Sequence, residues 1–143
     1  MTRTPPCDLK SLLIADEGLV QHVYPDSKDI PSIGVGRRVD EKGGLSMDEV
    51  LYLLSNDIAA VKADCALKYP WLAATDTPRQ AVVYSMRFIF GAAGLAGWTI
   101  FLDQVRYGYW EAAAHNLETS KWATQAPERV SRFAKTLRTG AFV

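Results

Sequence analysis

Leu12-Leu13-Ile14-Ala15-Asp16-Glu17-Gly18-Leu19, followed by Val23-Tyr24-Pro25-Asp26 and then Ser32-Ile33-Gly34-Val35-Gly36, is the stretch on which the fold turns. Just upstream, Asp8 can cap a helix in which Leu9, Leu12 and Leu13 fall at i, i+3 and i+4, and Gly18 suits its end. Glu17 is thereby placed at a helix C-terminus. From Val20 to Val39 the pattern changes to short β segments. Val23, Tyr24, Ile33 and Val35 are strand formers, separated by the turn-rich Pro25-Asp26-Ser27-Lys28-Asp29. Gly34 and Gly36 mark places where the backbone twists or is approached closely.

Working outward, Gly43-Gly44 breaks the chain again, and Ser46-Met47-Asp48-Glu49 forms a capping box. The helix it opens sets Leu51, Leu54, Ile58, Val61 and Cys65 inward and runs to about Lys68, where Pro70 halts it. Beyond Thr77 everything reads helical. Thr77-Pro78 serve as cap and first position for a helix with Ala81, Val82, Met86, Phe88 and Ile89 that reaches Gly91. Gly94 and Gly97 punctuate a turn, and further helices are expected over about 98–107, 109–119 and 127–138. There is no internal repeat, low-complexity segment or flexible linker. These features predict an α+β architecture, a small β lobe beside a helical lobe.

The composition, 48% hydrophobic and 22% charged over 143 residues, is that of a globular protein with one folding unit rather than a disordered or fibrous chain. Charge is balanced overall but uneven along the chain. Residues 1–75 hold 8 Lys/Arg against 11 Asp/Glu, and residues 76–143 hold 8 against 5. Lys121, Arg129, Arg132, Lys135 and Arg138 crowd the C-terminal end, either as a solvated helix face or as a surface for an anionic polymer. Cys7 and Cys65 lack CxxC spacing and a histidine cluster, which argues against zinc; they read most simply as reduced thiols, with a disulfide left open. His22 and His115 have no metal-ligand spacing, and no metal or cofactor is expected. The N-terminus, MTRTPPCDLK, has no apolar run of signal-peptide length, and no other stretch approaches a membrane span.

Two charges oppose their helix dipoles. Glu17 lies at a C-terminus and Arg129 in the first turn after Pro127, each disfavoured by roughly 0.3–1 kcal/mol. They could pair. A carboxyl group pushed toward its neutral form by a dipole and held in place by an arginine suits a general acid in glycoside hydrolysis, although the arginine works against the shift. Asp26, in a Pro-Asp-Ser turn, reads by itself as a turn former.

The three motifs around Glu17, Asp26 and Ser32 resemble the active-site signature of the T-even phage lysozyme family, glycoside hydrolase family 24: D-E-G, Y-x-D and T/S-I-G-x-G at these separations. The resemblance continues through Gly94-Leu95-Ala96-Gly97-Trp98, Trp110-Glu111-Ala112-Ala113 with Asn116, Ser120-Lys121-Trp122, Gln125-Ala126-Pro127-Glu128-Arg129 and Arg138-Thr139-Gly140. It covers most of residues 8–140 and is weakest over about 40–76. It implies a lysozyme-like fold for the single domain 1–143: a β-containing lobe over about 18–57, a connecting helix over about 58–70, a helical lobe made by 1–17 with 76–143, and a cleft between lobes.

The resemblance further implies hydrolysis of the β-1,4 bond between N-acetylmuramic acid and N-acetylglucosamine in peptidoglycan. Glu17 would protonate the leaving oxygen, Asp26 assist the attacking water and Ser32 hold that water. An inverting course fits two carboxylates far enough apart to admit the water. Arg129 would pair with the acid, and Phe88 and Asn116 would touch the glycan. Where family members carry a histidine this chain has Arg37, and we expect it to pair with Asp57. Ser85, Ile89, Phe101 and Arg38 also depart from the usual cleft residues. The implied setting is a monomer made in a host bacterial cytoplasm, reaching the wall through a membrane-permeabilising partner, with neither nucleic acid nor stable membrane insertion.

Two other readings stand beside this one. A lytic transglycosylase needs an acidic Glu but no water-positioning Asp, so Asp26 and Ser32 speak against it. A non-catalytic wall-binding or virion-structural protein could keep a lysozyme fold, since fold does not dictate function. Nucleic-acid binding is poorer, because no recognition motif accompanies the basic residues. Trp98, Trp110 and Trp122 read as core or cleft walls.

Overall fold

The computed structural model describes Pro5 and residues 7–143. Residues 1–4 and Pro6, part of the N-terminal stretch read above for a signal peptide, lie outside the described residues. Among the described residues there are seven α-helices, a short 3-10 helix and a three-stranded antiparallel sheet, an α+β fold. The chain divides into two compact units, residues 1–52 and 53–143.

In the first unit, α1 (Leu9–Glu17) opens on a reciprocal cap. The Asp8 carboxylate accepts from Ser11 N at 2.7 Å, and Ser11 Oγ accepts from Asp8 N at 3.1 Å. Such caps stabilise a helix by about 1 kcal/mol. Gly18 ends it at φ 78°, its N–H donating to Ile14 O at 3.0 Å. β1 (Val20–Pro25), β2 (Pro31–Gly34) and β3 (Arg37–Arg38) follow as a meander in the order β1-β2-β3. Tyr24 faces Ser32 across β1 and β2, and the register is irregular between Val20 and Tyr24. The β2–β3 hairpin needs both of its glycines, since Gly34 and Gly36 sit at φ 71° and 69°, where a Cβ would be strained. Residues 1–52, the unit that holds the sheet, also take in α1, which the sequence reading grouped with the helical lobe. Gly18 leads the chain from α1 straight into β1, which keeps the two neighbours in space.

α2 (Met47–Lys68) starts on the expected capping box: Glu49 N donates to Ser46 Oγ at 3.2 Å, and Ser46 N to Glu49 Oε2 at 2.7 Å. Of the residues expected inward on this helix, Val61 and Cys65 are buried, whereas Leu51, Leu54 and Ile58 are exposed. Pro70 begins the 3-10 helix Pro70–Ala74, a stop the sequence did predict and a turn it did not.

The core lies in the second unit. α3 (Thr77–Ala96) is capped by Asp76, which accepts from Arg79 N, so Thr77 is its first residue and not its cap. Gly91, at φ 74° and ψ 175°, is non-helical and breaks α3 into two helical segments, where the sequence reading ended the helix. α4 (Thr99–Arg106), α5 (Trp110–Glu118), α6 (Lys121–Gln125) and α7 (Pro127–Thr139) complete the chain. Val83, Met86, Leu95, Phe101, Ala113, Ala114, Leu117, Ala134 and Leu137 are wholly buried. Phe90, Trp98, Phe101, Trp122 and Phe133 interlock largely edge to face, with Phe90 and Trp122 centroids 4.9 Å apart.

Arg79 ties α3 to the end of α7. Its Nε donates to Leu137 O at 2.7 Å and its Nη2 to Arg138 O at 3.3 Å, while the guanidinium lies 4.2 Å from the Trp110 ring centroid. These carbonyls end a helix and want donors. Gly140, at φ 68°, closes α7 where a Cβ would stand 2.9 Å from Arg79 Nη1. Among the described residues no single helix is long and apolar enough to cross a membrane.

Candidate active site

The three expected catalytic residues lie in the first unit, and local geometry fixes each. Glu17 is the last residue of α1, exposed, and no basic residue in the final turn offsets its charge. Its carboxylate reaches the β2–β3 hairpin: Oε2 is 3.3 Å from the point a Cβ on Gly36 would occupy. The glycine is what leaves room for it.

Asp26 closes the β1–β2 turn. Its Oδ1 accepts from Lys28 N at 2.7 Å and from Ile30 N at 2.9 Å, and its own N–H donates to Ile30 O at 3.0 Å. The Ile30 and Lys28 N–H groups hold its carboxyl below the usual carboxylate range. Among the described residues Oδ2 receives no hydrogen bond, so an ionised oxygen is left to accept from a water. The turn-forming and the acid–base readings of Asp26 are therefore compatible.

Ser32 is 2% exposed, and its Oγ donates to Ile30 O at 3.2 Å. With its proton so engaged, the hydroxyl can receive a donor but has none to spare. Asp26 and Ser32 are thus linked through one residue, Ile30, which gives its N–H to the first and takes the O–H of the second.

Arg37 does not pair with Asp57. It makes a two-pronged bridge to Glu49, Nη1 to Oε2 at 2.9 Å and Nη2 to Oε1 at 2.8 Å, and donates to Gly44 O at 3.0 Å. Asp57 lies eight residues further along α2, about 12 Å of helix rise from Glu49. The fork and the capping box hold the Glu49 carboxyl below its ordinary value, the Arg37 hydrogen bond being the larger cause. Arg38 is likewise occupied, by Asp40. The Ser46-x-x-Glu49 box signalled Glu49 in sequence, but only as a cap.

In the second unit, Phe88 and Arg129 line one groove of about 770 Å³ with Ser85, Ile89, Leu54 and Ile58. Two of the departures from the family pattern, Ser85 and Ile89, thus face the same space as Phe88. Arg129 is exposed in the first turn of α7 and makes no ion pair among the described residues. Asn116 faces a different concavity, with Gly97, Trp98 and Ile100, and its Nδ2 donates to Gln104 Oε1 at 3.1 Å. Phe88 and Asn116 therefore do not share a pocket. Phe101, a cleft position in the sequence reading, lines the same concavity as Asn116 while its side chain is fully buried against Trp98. Its size and apolarity make it a core residue.

Among the described residues no group of three His, Cys, Asp or Glu side chains could hold a metal ion. Cys7 is exposed and Cys65 buried, both as free thiols. Burial pushes the Cys65 thiol up, away from the reactive thiolate.

No known family profile matches the chain. It is similar to the pre-baseplate central spike protein Gp5 of Enterobacteria phage T4, at 26% identity over a 163-residue alignment that takes in 95% of this chain and 28% of Gp5. The chain thus spans little more than a quarter of the length of that phage protein.

Proposed function

We propose that this chain is a lysozyme-like peptidoglycan hydrolase of phage origin, cutting the β-1,4 bond between N-acetylmuramic acid and N-acetylglucosamine. The observation that carries the reading is the placement of Glu17: a helix-terminal carboxyl, uncompensated by a neighbouring cation, against the glycine hairpin of the unit that also holds the ionised Asp26. Glu17 is the general acid for the leaving oxygen. Asp26, kept ionised by two peptide N–H groups, draws a proton from the attacking water through Oδ2, and Ser32 steadies that water. Phe88 and Asn116 are assigned as glycan contacts. A course through water predicts inversion at the anomeric carbon.

Turbidity loss of outer-membrane-permeabilised cells, compared between the natural protein and Glu17→Gln, tests the reading. Loss of at least the usual acid-catalysis factor, roughly 100-fold, is expected. Undiminished lysis by the variant would end it, and anhydro-sugar products would redirect it to a lytic transglycosylase.

Similarity to a protein named as a spike favours one further reading, a virion-structural part that keeps the fold without the chemistry. In that case Glu17→Gln leaves particle assembly and infectivity unchanged, and the purified chain releases no reducing ends from peptidoglycan.

A further inference from the structure

The turn between α4 and α5 is built to present two aromatic rings. Arg106-Tyr107-Gly108-Tyr109 ends α4 in a paired cap: Tyr109 N donates to Gln104 O at 2.8 Å and Gly108 N to Val105 O at 3.2 Å, with Gly108 left-handed at φ 74°. This is the Schellman arrangement, and it fixes the backbone on either side of the glycine. Tyr107 and Tyr109 are 61% and 63% exposed, yet their ring centroids lie only 6.4 Å apart. The Arg106 guanidinium stands 5.3 Å from the Tyr107 centroid. Beside them a concavity of about 580 Å³ is lined by Gly108, Tyr109, Trp110, Glu111, Ala112 and Arg138. Arg79 stacks on the Trp110 ring and braces the floor.

Neither tyrosine packs into the core, so fold stability does not account for them. Large exposed aromatic surface beside convergent polar groups marks a binding site. The Glu111 side chain is 77% exposed and held in orientation by Arg138, which bridges it to Glu118. Its carboxylate keeps lone pairs for hydroxyl donors. Flat ring faces next to a fixed, ionised acceptor suit the C–H faces and hydroxyls of pyranose sugars. A nucleic-acid strand would also stack on tyrosines, but it needs net positive charge. Here the positive charges of Arg79, Arg106 and Arg138 are balanced by Asp103, Glu111 and Glu118, so the turn carries no net positive charge.

We infer that the Tyr107–Tyr109 turn is a glycan-binding subsite outside the candidate active site, with Tyr107 and Tyr109 as the stacking rings and Glu111 as the hydroxyl acceptor. It rests on the proposed function only for the identity of the glycan as wall polymer. Its effect is to hold an insoluble strand near the enzyme, raising the local substrate concentration without entering the chemistry.

The test is titration of the full chain carrying Glu17→Gln with the tetramer of N-acetylglucosamine, followed by calorimetry and by backbone amide shifts. Saturable binding with shifts at residues 106–111 is expected, weakened about tenfold by Tyr107→Ala/Tyr109→Ala and retained by Tyr109→Phe, which keeps the ring. Unmoved resonances in that segment, unchanged affinity in the double variant, or tighter binding of an oligothymidylate would each overturn the inference. Shift mapping on the intact rings decides the matter even if the double variant folds poorly. If the tetramer binds at 106–111 while the natural protein never cleaves peptidoglycan, the subsite stands and the proposed function falls; cleavage with a silent turn is the reverse.

Discussion

The Glu17 carboxylate sits against the backbone of Gly36, with Oε2 3.3 Å from the place a side chain would begin. A helix end and a hairpin tip are thereby fitted together by a missing methyl group. Gly36→Ala is expected to act twice. The left-handed backbone at φ 69° costs an alanine roughly 1–2 kcal/mol, and the new Cβ pushes the carboxylate back by a few tenths of an ångström. Urea midpoints should fall while lysis falls further than the lost stability explains. Equal activity per folded molecule would separate Gly36 from the chemistry.

Asp26 couples the candidate site to acid stability. Its carboxyl is lowered by the Ile30 and Lys28 N–H groups, so folding favours the ionised form. That contribution is complete above the unfolded-state value and is lost as pH falls through the lower folded one. The difference in urea midpoint between the natural protein and Asp26→Ala should therefore narrow as pH falls below the ordinary carboxylate range. A gap that widens on acidification would contradict the assignment.

The Arg37–Glu49 fork replaces the Arg37–Asp57 pair expected from sequence, and a double-mutant cycle distinguishes them. Both partners are substantially exposed, so either single substitution should cost little. Coupling should appear between Arg37→Met and Glu49→Gln and be absent between Arg37→Met and Asp57→Asn.

Arg79 predicts a larger effect. Its side chain is only 15% exposed, it satisfies carbonyls at the end of α7, and it covers Trp110. Arg79→Met should lower unfolding free energy by about 3 kcal/mol, read from urea unfolding at neutral pH. Arg79→Lys should recover only part, because an ammonium cannot span both carbonyls and the ring.

Local rules accounted for the elements well. The Asp8 cap, the Gly18 stop, the Ser46-x-x-Glu49 box and the Pro70 break all stand where residue chemistry put them. Gly91 breaks α3 where the sequence reading ended that helix, because its left-handed φ cannot continue a right-handed helix; residues 92–96 then resume helical geometry in a stretch read as a turn. Leu51, Leu54 and Ile58 carry a core-like period yet are exposed, since periodicity reports which face is apolar and not what covers it. The α6 helix is five residues long, too short to leave a periodic signal.

For the candidate site, residue types placed Glu17 at a helix end and Asp26 in a turn, because helix ends and Asx turns are set by neighbours in the chain; the roles proposed for them came from the family resemblance. Which acid takes Arg37, how deeply Phe101 is buried, and whether Phe88 and Asn116 share a pocket depended on groups distant in sequence. Nor did the letters alone show that Gly108 turns two tyrosines to one side. Short-range hydrogen bonding is written in adjacent residues; partnership between remote side chains exists only once packing has chosen which surfaces meet.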